Sequence, residues 1–293
     1  MKFAYIASTA TLPGSPTRRS DGFEHDRMMA ELHRGAPDDV TWVDVAWDDN
    51  EINWSGFDAA IIGTAWDYWD RQETFLTTLE QISAKTHLFN PPQTVRWNSH
   101  KSYLKDLEKR GAKLIPTLWF DRVTAEAARS AFDELGTDDL VFKRQVGAGA
   151  DGQHRLKRGD PLPSLPHPMM VQPFLSAIQS EGEYSFIFID GELSHALIKR
   201  AAKGDYRIQS TYGGTDHAIT PQAEDVAAAR AILDMVNMPD SRAPLYARVD
   251  MLRAEDDVLL LMELELIEPF LYPLEGPGLG RRLSAALIAR LQR

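Results

Sequence analysis

The stretch Arg248-Val-Asp250-Met-Leu, followed by a polar turn and then by Val-Leu-Leu-Leu-Met-Glu263-Leu-Glu265-Leu-Ile-Glu268-Pro, has the pattern of two strands in a hairpin. Side chains alternate between the two faces of a strand, so Glu263 and Glu265 point to the same side. An antiparallel partner strand can place Asp250 opposite them. Three carboxylates on one face repel each other unless a cation lies between them. Hard oxygen ligands of this kind suit Mg²⁺, and the alternative is an acidic hairpin face that only meets solvent.

The composition is that of an ordinary globular protein of 293 residues, with 43% hydrophobic and 26% charged residues. This length is enough for two or three structural units. The net charge of −11 argues against a nucleic-acid partner or an anionic membrane surface. The absence of cysteine excludes disulfides, thiolate metal sites and a cysteine nucleophile, and it fits a cytoplasmic location. No run approaches the roughly 20 apolar residues that span a bilayer.

The N-terminal third alternates between short apolar runs and stretches with helical apolar spacing. The elements that this pattern predicts are strands over 2–8, 40–46, 59–63 and 87–90, and helices over 23–33 and 72–84. Such alternation predicts a small parallel sheet with helices packed on it. The pair Pro91-Pro92 stops the last strand and is the first candidate boundary.

The rest of the chain carries more helix and strand patterns, with caps at several helix starts. The predicted helices cover 98–110, 124–135, 221–236 and 279–291. The predicted strands cover 140–143, 169–175, 184–190 and 193–199, and 153–157 also has a strand pattern. Neither an internal repeat nor a low-complexity segment is present.

A glycine-rich loop with Gly147, Gly149 and Gly152 follows Lys143. Glycines let backbone N–H groups approach phosphate oxygens, and a lysine adds a point charge. The loop lacks the Gly-Lys-Ser/Thr of a Walker A motif. It matches the Gly-x-Gly-x-x-Gly spacing by letter, but a strand follows where a dinucleotide-binding loop would open a helix. The alternative is a plain hairpin turn.

Several other residues are candidates that have an ordinary structural alternative. Lys101 lies on a predicted helix, where most lysines are solvated. The segment Gln172-Pro173-Phe174-Leu175 forms either an apolar slot for an adenine ring or a core strand. A second basic stretch that suits a phosphate or carboxylate, or else forms a solvated loop, contains Lys199, Arg207, Gly213 and Gly214.

In this order the motifs resemble the ATP-grasp superfamily over residues 96–270, and locally its glutathione synthetase type. The family's ribose acid corresponds to Glu183, in Gly182-Glu183-Tyr-Ser-Phe-Ile-Phe-Ile-Asp-Gly-Glu. Its basic loop corresponds to Arg207-Ile-Gln209-Ser-Thr-Tyr-Gly-Gly, and its metal motif to Asp250 followed by Glu263-Leu-Glu265. Two departures are Gln209 and Glu265, where the commoner pattern has Asn. Both departures leave the identity of the substrate open, but they do not affect the prediction that the nucleotide is ATP.

Within that superfamily the chain is similar to the small ATP-grasp enzymes related to D-cycloserine synthetase. The segments that carry this similarity are Trp66-Asp67-Tyr68, Asn90-Pro91, Arg96-Trp97-Asn98, Ser194-His195-Ala196, Gly204-Asp-Tyr-Arg207 and Glu263-Leu-Glu-Leu-Ile-Glu-Pro269.

The resemblance implies an α/β protein with the ATP-grasp fold. An N-terminal α/β domain (1–95) would precede central (96–172) and C-terminal (173–293) domains that enclose ATP. It also implies an ADP-forming carbon–nitrogen ligase. ATP would convert a carboxylate of a small amino-acid-like substrate into an acyl phosphate that an amine attacks.

The same resemblance implies roles for named residues. The nucleotide would be held by Lys101, Lys143, Gly147, Gly149, Gly152, Gln172, Pro173, Phe174, Leu175 and, at the ribose, Glu183. One or two Mg²⁺ would bind Asp250, Glu263 and Glu265. Arg207 and Lys199 would be catalytic, and the substrate would lie near Asp67, Tyr68, His195, Gln209, Gly213 and Gly214.

Two other functions remain open from the sequence: a small-molecule phosphotransferase and a non-catalytic nucleotide-binding protein. Within the ligase class, ring closure within one molecule competes with the joining of two. The sequence also leaves open whether the chain forms a homodimer.

Overall fold

Four short strands near the N-terminus form a parallel sheet in the computed structural model, which describes residues 1–147 and 149–292. The strands are β1 (Lys2–Ala7), β2 (Thr41–Ala46), β3 (Ala59–Ile62) and β4 (His87–Phe89), in the order β2-β1-β3-β4. Helices α1 (Gly22–Gly35) and α2 (Gln72–Ser83) connect them. The predicted parallel sheet and both helices are confirmed.

The predicted helix over 98–110 is correct only for its second part, because a turn at residues 99–102 separates two shorter helices. Helix α3 (Pro92–Asn98) begins at the proline pair, and α4 (Tyr103–Lys109) follows after a turn. Proline is well tolerated in the first turn of a helix, where its missing N–H has no partner to lose. Lys101 therefore lies in the turn, and its N–H donates to the Gln145 carbonyl at 2.8 Å. This bond holds Lys101 close to the end of the strand that carries Lys143.

The central sheet is antiparallel and has the order β5-β8-β6-β7. Its strands are β5 (Leu118–Phe120), β6 (Asp139–Arg144), β7 (His154–Lys157) and β8 (Met169–Pro173). Helix α5 (Ala125–Glu134) covers one face, and the Thr124 hydroxyl caps it by accepting from the Ala127 N–H at 3.1 Å. The strand β5 was not predicted, whereas the other three strands and the capped helix are confirmed.

The C-terminal sheet has five antiparallel strands in the order β11-β10-β9-β12-β13. Its strands are β9 (Glu183–Ile189), β10 (Glu192–Arg200), β11 (Thr215–Ile219), β12 (Tyr246–Arg253) and β13 (Leu259–Glu265), with helices α6 (Ala177–Ser180) and α7 (Ala223–Asp234) nearby. The predicted hairpin is confirmed, with Asp250 opposite Glu263 and Arg248 opposite Glu265. Its register shifts just after Asp250.

The last helix, α8 (Leu279–Leu291), packs against α1 and returns the chain to the N-terminal sheet. Leu279, Leu283 and Leu287 share one buried cluster with Phe3 and Met28. By its packing α8 therefore belongs with residues 1–95, although the domain limits themselves remain a prediction. Among the described residues, no helix is long and apolar enough to cross a bilayer.

Two glycines allow α1 and α8 to approach closely, and this contact predicts a stability effect. A Cβ on Gly280 would lie 2.1 Å from the Glu31 carbonyl oxygen of α1. Gly280→Ala should therefore force the helices apart and lower the free energy of unfolding by about 1–3 kcal/mol, as overpacked cores do. Urea unfolding measures this. Gly56→Ala is the matched control, because the nearest atom to its Cβ lies 3.9 Å away. Equal stability of the two variants would contradict the close-approach argument.

Candidate active site

A cavity of about 660 Å³ lies where the three sheets meet. Its walls include Tyr68 from the N-terminal part, Lys143 and Phe174 from the central sheet, and Asp250 and Glu263 from the C-terminal sheet. This volume is in the range of sites for small molecules and cofactors. Most of the site residues predicted from the sequence are brought together here.

The carboxylates of the hairpin face this cavity, and a buried arginine lies among them. The Arg248 guanidinium donates to both oxygens of Asp250, with Nε–O distances of 3.1 and 3.0 Å, and forms an ion pair with Glu265. It also donates to the Phe270 carbonyl at 3.0 Å. Burial opposes ionisation of Asp250, but Arg248 and Lys199 outweigh it and lower its pKa.

The position of Arg248 changes the inference, made from the sequence, that a bound metal ion separates the three carboxylates. In the described part of the chain, no three acidic or histidine side chains converge closely enough to hold a metal ion. The repulsion among the carboxylates is instead relieved by cations from the protein. Arg248 was missed as a site residue, although the alternation that aligns Glu263 with Glu265 also places it on the same face as Asp250.

A second buried ionic group centres on Lys199 of β10. Its ammonium forms an ion pair with Glu183 and lies 3.3 Å from Asp250 Oδ1. All three side chains are at most 5% exposed. Burial opposes the charged form of Lys199, but Asp250 and Glu183 prevail and raise its pKa. Burial raises the pKa of Glu183 to about 7 against the opposing effect of Lys199.

This pairing changes the expectation for Glu183. A carboxylate that is 1% exposed and already bound to an ammonium has little surface for ribose hydroxyls. The position of Glu183 therefore gives no support to the ribose role, and it supports holding Lys199 in place. Lys199 itself lines the cavity, as expected of a catalytic residue.

Two further lysines, Lys101 and Lys143, line the cavity. Lys101 forms an ion pair with Glu263; burial opposes its charged form, but Glu263 outweighs this effect and raises its pKa. Lys143 has no hydrogen-bond or ion-pair partner for its ammonium among residues 1–147 and 149–292, and burial lowers its pKa. An unpaired, half-buried ammonium is suited to an anionic ligand.

The glycine-rich loop begins at the rim of the cavity. Gly147 and Gly149 line it, with positive φ angles of 145° and 64° that favour glycine. Gly152 lies outside the lining, and a Cβ there would lie 2.5 Å from Arg144 Nε. The Arg144 guanidinium forms a 2.7 Å ion pair with Asp151 across the loop. Ala148, within the predicted loop, lies outside the described residues.

The segment after β8 forms an apolar wall of the cavity. Pro173, Phe174 and Leu175 all line it, and the Arg155 guanidinium lies 3.3 Å from the centre of the Phe174 ring. Gln172 is buried, and its amide donates to Thr117 Oγ1 at 2.9 Å. The segment is thus the end of a core strand and also a cavity wall, and its role as a slot for an adenine ring stays a prediction.

The basic loop 204–214 closes over the cavity from the C-terminal sheet. Arg207 lines the cavity, pairs with Asp205 at 2.7 Å and lies over the Tyr212 ring. Gln209 also lines it, and Ser210 Oγ donates to Glu24 Oε1 of α1 at 2.6 Å. The loop therefore contacts the N-terminal helix as well as the cavity.

Four predicted substrate residues lie outside the cavity lining, whereas Tyr68 lies within it. The Asp67 carboxylate accepts from Trp47 Nε1 at 2.8 Å and pairs with Arg71. His195 Nε2 is 3.0 Å from the Leu271 carbonyl oxygen. Gly213 and Gly214 instead shape the basic loop: a Cβ on Gly214 would lie 1.8 Å from the Ile208 carbonyl oxygen.

His195 gives a pH-dependent stability prediction in place of a substrate role. Burial lowers its pKa to about 4, from an ordinary value near 6.5. Between these values the unfolded state binds the proton and the folded state does not, so His195 lowers stability as pH falls through this window. At pH 5 the effect should be about 2 kcal/mol.

Urea unfolding at pH 7 and pH 5 tests this prediction against His195→Gln. The glutamine can still donate to the Leu271 carbonyl but does not titrate. The wild-type protein should lose about 2 kcal/mol more than the variant on acidification. A difference between the two proteins that does not change with pH would show that His195 is not buried in its neutral form.

Comparison with known proteins shows which proteins this chain resembles in sequence and fold. Residues 5–90 match the family model described as D-cycloserine synthetase DcsG, N-terminal domain. The cycloserine biosynthesis protein DcsG of Streptomyces lavendulae is 29% identical over 269 residues, which cover 84% of this chain and 87% of that protein. The crystal structure of D-cycloserine synthetase DcsG superposes with a TM-score of 0.81 and 23% identity, covering 99% of this chain and 100% of the other.

The chain is similar in sequence to DcsG and has the ATP-grasp fold. The fold is shared more widely: the ATP-grasp ligase PsnB, in a complex with a precursor variant, Mg and ADP, matches with a TM-score of 0.66 and 17% identity over 99% of this chain and 98% of that one. The predicted ATP-grasp fold and the predicted similarity to D-cycloserine synthetase are thereby confirmed.

In the DcsG-like chain the matched N-terminal family segment ends one residue before Pro91. It contains Trp66, Tyr68 and Trp69, which line the cavity, whereas the lysines and the carboxylates of the hairpin lie beyond it. The cavity thus combines a wall from the family-matched segment with charged residues from the two sheets that follow.

Proposed function

We propose that this DcsG-like protein is an ATP-dependent, ADP-forming carbon–nitrogen ligase that acts on a small amino-acid-like substrate. ATP phosphorylates a carboxylate of that substrate, and an amine then displaces phosphate from the acyl phosphate. Ring closure within one molecule is the form that we favour, because the relative from Streptomyces lavendulae is named for cycloserine biosynthesis.

The observation that carries this proposal is the unpaired Lys143 ammonium facing a cavity with Lys101 beside it. A half-buried ammonium without a partner is unfavourable unless an anion binds it. The glycine-rich loop at the same rim can add backbone N–H groups, and the apolar wall at Phe174 can receive a base. These features together suit a nucleoside triphosphate rather than a simple anion.

The chemistry of the donor set fits Mg²⁺ when it arrives with phosphate. Mg²⁺ is usually held by one or two carboxylates plus substrate phosphates, so a complete protein cage is not required. Glu263 and Glu265 project from one face of β13, and Asp250 lies opposite Glu263. These residues would hold one or two ions, which would neutralise charge on the phosphate oxygens.

The protein groups then have separable tasks in the reaction. Lys101 and Lys143 bind phosphate oxygens and orient the γ-phosphoryl group. Arg248 and Lys199, both held by buried carboxylates, present fixed positive charge where negative charge accumulates during transfer. Arg207, on the loop that contacts α1, can hold two oxygens of the transferring group or of the acyl phosphate. The substrate carboxylate would lie between these cations and Tyr68.

Lys143→Met tests the nucleotide assignment. Loss of one charge-assisted hydrogen bond, worth about 1.5–3 kcal/mol, should weaken binding of a non-hydrolysable ATP analogue with Mg²⁺ by about 10- to 100-fold in calorimetric titration. Lys157→Met, an exposed lysine on the neighbouring strand β7, is the matched control. Unchanged affinity in Lys143→Met would remove the main support for the site.

The reaction is tested by ADP release with amino acids and O-substituted serines, followed by mass analysis of the product. A product lighter than the substrate by one water identifies ring closure, and a requirement for a second amine identifies joining of two molecules. A stable phosphorylated product would favour the phosphotransferase instead. Absence of ATP turnover across the panel would favour a nucleotide-binding protein without activity.

A further inference from the structure

Glu268 occupies the side of the cavity that faces the N-terminal sheet. It follows the end of β13, and its backbone carbonyl accepts a hydrogen bond from Trp66 Nε1 at 3.0 Å. The residue lines the cavity yet is only 9% exposed. None of the steps assigned above to lysines, arginines and the other carboxylates uses this side chain.

Glu268 differs from the other deeply buried acids of the cavity in having no cation. Four acidic residues that line the cavity are at most 9% exposed: Asp21, Glu183, Asp250 and Glu268. The first pairs with Arg19, the second with Lys199, and the third with Arg248 and Lys199. Within the described ranges, no side chain donates a hydrogen bond to the Glu268 carboxylate or forms an ion pair with it. Its own backbone N–H donates to it, and the Lys101 ammonium, which pairs with Glu263, acts on it only from beyond ion-pair distance.

A buried carboxylate without a partner is costly for a folded protein. An acid left unpaired in the interior destabilises the charged form, and buried charges are normally paired. Burial, with a further contribution from Glu265, accordingly raises the pKa of Glu268 well above its usual range. A ligand with a cationic group would supply the ion-pair partner that the Glu268 carboxylate lacks in the folded protein.

The surroundings of Glu268 favour a nitrogen cation over other ligands. The rings of Trp66, Trp69 and Phe270 line the same part of the cavity, and aromatic faces attract ammonium groups. Tyr68 is 5% exposed and also lines it. Burial and, after it, the nearby Glu268 carboxylate raise the pKa of Tyr68, which keeps its hydroxyl a neutral hydrogen-bond donor and acceptor.

We propose that Glu268, assisted by Tyr68, binds the ammonium group of the amino-acid-like substrate and so selects substrates that carry a free amine. This proposal rests on the proposed function, because it names the substrate group that one wall of the ligase cavity recognises. The carboxylate end of the substrate would then extend from this wall toward Arg248 and Lys199. Glu268 is thus a specificity-determining residue that binds the substrate away from the transferring phosphoryl group.

Calorimetric titration with defined probes tests the proposal in the presence of ADP and Mg²⁺. The probes are D-serine, L-serine and their O-acetyl and O-carbamoyl derivatives, with 3-hydroxypropanoate as the serine analogue that lacks the amine. The wild-type protein should bind at least one of the amino acids about 10- to 100-fold more tightly than 3-hydroxypropanoate, as expected for one charge-assisted hydrogen bond.

Glu268→Gln should remove that preference. Its affinity for the amino acid should fall by about 10- to 100-fold, whereas its affinity for 3-hydroxypropanoate should stay unchanged. Tyr68→Phe should weaken amino-acid binding by a few fold, as expected for one neutral hydrogen bond. Asp70→Asn, which removes an exposed acid from the same cavity wall, is the matched control and should behave as wild type.

Thermal unfolding separates recognition from a structural role. Because the Glu268 carboxylate has no cation to lose, Glu268→Gln should unfold at a temperature equal to or above that of the wild-type protein. A clearly lower midpoint would assign Glu268 to folding and overturn the proposal. So would failure of every amino acid to bind the wild-type protein.

ADP release distinguishes failure of this proposal from failure of the ligase assignment. If the wild-type protein binds the amino acids through Glu268 but releases no ADP, the ammonium site stands and the ligase activity falls. If it releases ADP and Glu268→Gln discriminates between amine and non-amine probes as the wild type does, the ligase stands and the ammonium site falls.

Discussion

Replacing Arg248 with methionine should lower both turnover and folding stability, and this is the largest combined loss that we expect. The arginine side chain is 9% exposed and pairs with Asp250 and Glu265. Removing one partner of a buried ion pair typically costs about 3–5 kcal/mol, because the remaining charge stays buried. Loss of one preorganised cation near the transferring group should also reduce kcat by about 100- to 1000-fold.

The double variant Arg248→Met/Glu265→Gln separates these two losses. Asp250 keeps its ion pair with Lys199, so Glu265 is the carboxylate that loses its cation in Arg248→Met. The glutamine removes that unpaired charge, so stability to urea should recover in part while turnover stays low. The stability deficit of Arg248→Met should also shrink as the pH falls, because the unpaired Glu265 carboxylate becomes protonated. An Arg248→Met protein with wild-type stability and kcat would contradict the central place given to this residue.

Arg207→Lys should reduce turnover by about 30- to 1000-fold, or about 2–4 kcal/mol, while leaving folding stability unchanged. The side chain is 36% exposed, and its partners, Asp205 and Tyr212, lie in the same loop. Lysine keeps the charge but loses the planar fork that holds two oxygens at once. If the fork acts on the transition state, kcat and kcat/KM should fall together while ATP affinity is retained.

Steady-state kinetics on Arg207→Lys distinguishes the possible roles. Arg200→Lys, an exposed arginine at the end of β10, is the control for the same chemical change. A rise in KM for the amino-acid substrate at constant kcat would mean that Arg207 tethers the substrate carboxylate. If neither parameter changes, Arg207 is a solvated loop residue, and the resemblance of residues 204–214 to the glutathione synthetase type carries no function.

The contrast between Arg248 and Arg207 follows from their surroundings. Both arginines line the cavity, but Arg248 is enclosed by strands of the C-terminal sheet and Arg207 lies on a polar loop. The sequence favoured Arg207 because the loop pattern matches a known motif. It did not single out Arg248, because strand alternation shows which face an arginine occupies but not which carboxylates it pairs with.

The features that could be predicted from the sequence alone are those that depend on near neighbours in the chain. Alternation along a strand is local, so the hairpin was predicted correctly with Asp250 opposite Glu263. The Thr124 cap and the parallel N-terminal sheet were predicted for the same reason. The order of motifs was enough to indicate the ATP-grasp fold, since each motif is short and their sequence along the chain is distinctive.

The pairing of charged side chains depends on how the strands pack in three dimensions, and the sequence pattern did not predict it. The Lys199 ammonium contacts both Glu183 and Asp250 because its strand, β10, lies beside β9, and β9 lies beside β12; no spacing in the sequence encodes that order. The structure also directed Asp67 and His195 away from the cavity and left Glu268 without a cation. A sequence pattern reports which face a side chain occupies. The ion-pair partner of a side chain and its degree of burial depend on strands and helices that are distant in the chain. These two properties decide whether a charged group stabilises the fold or is available to bind a substrate.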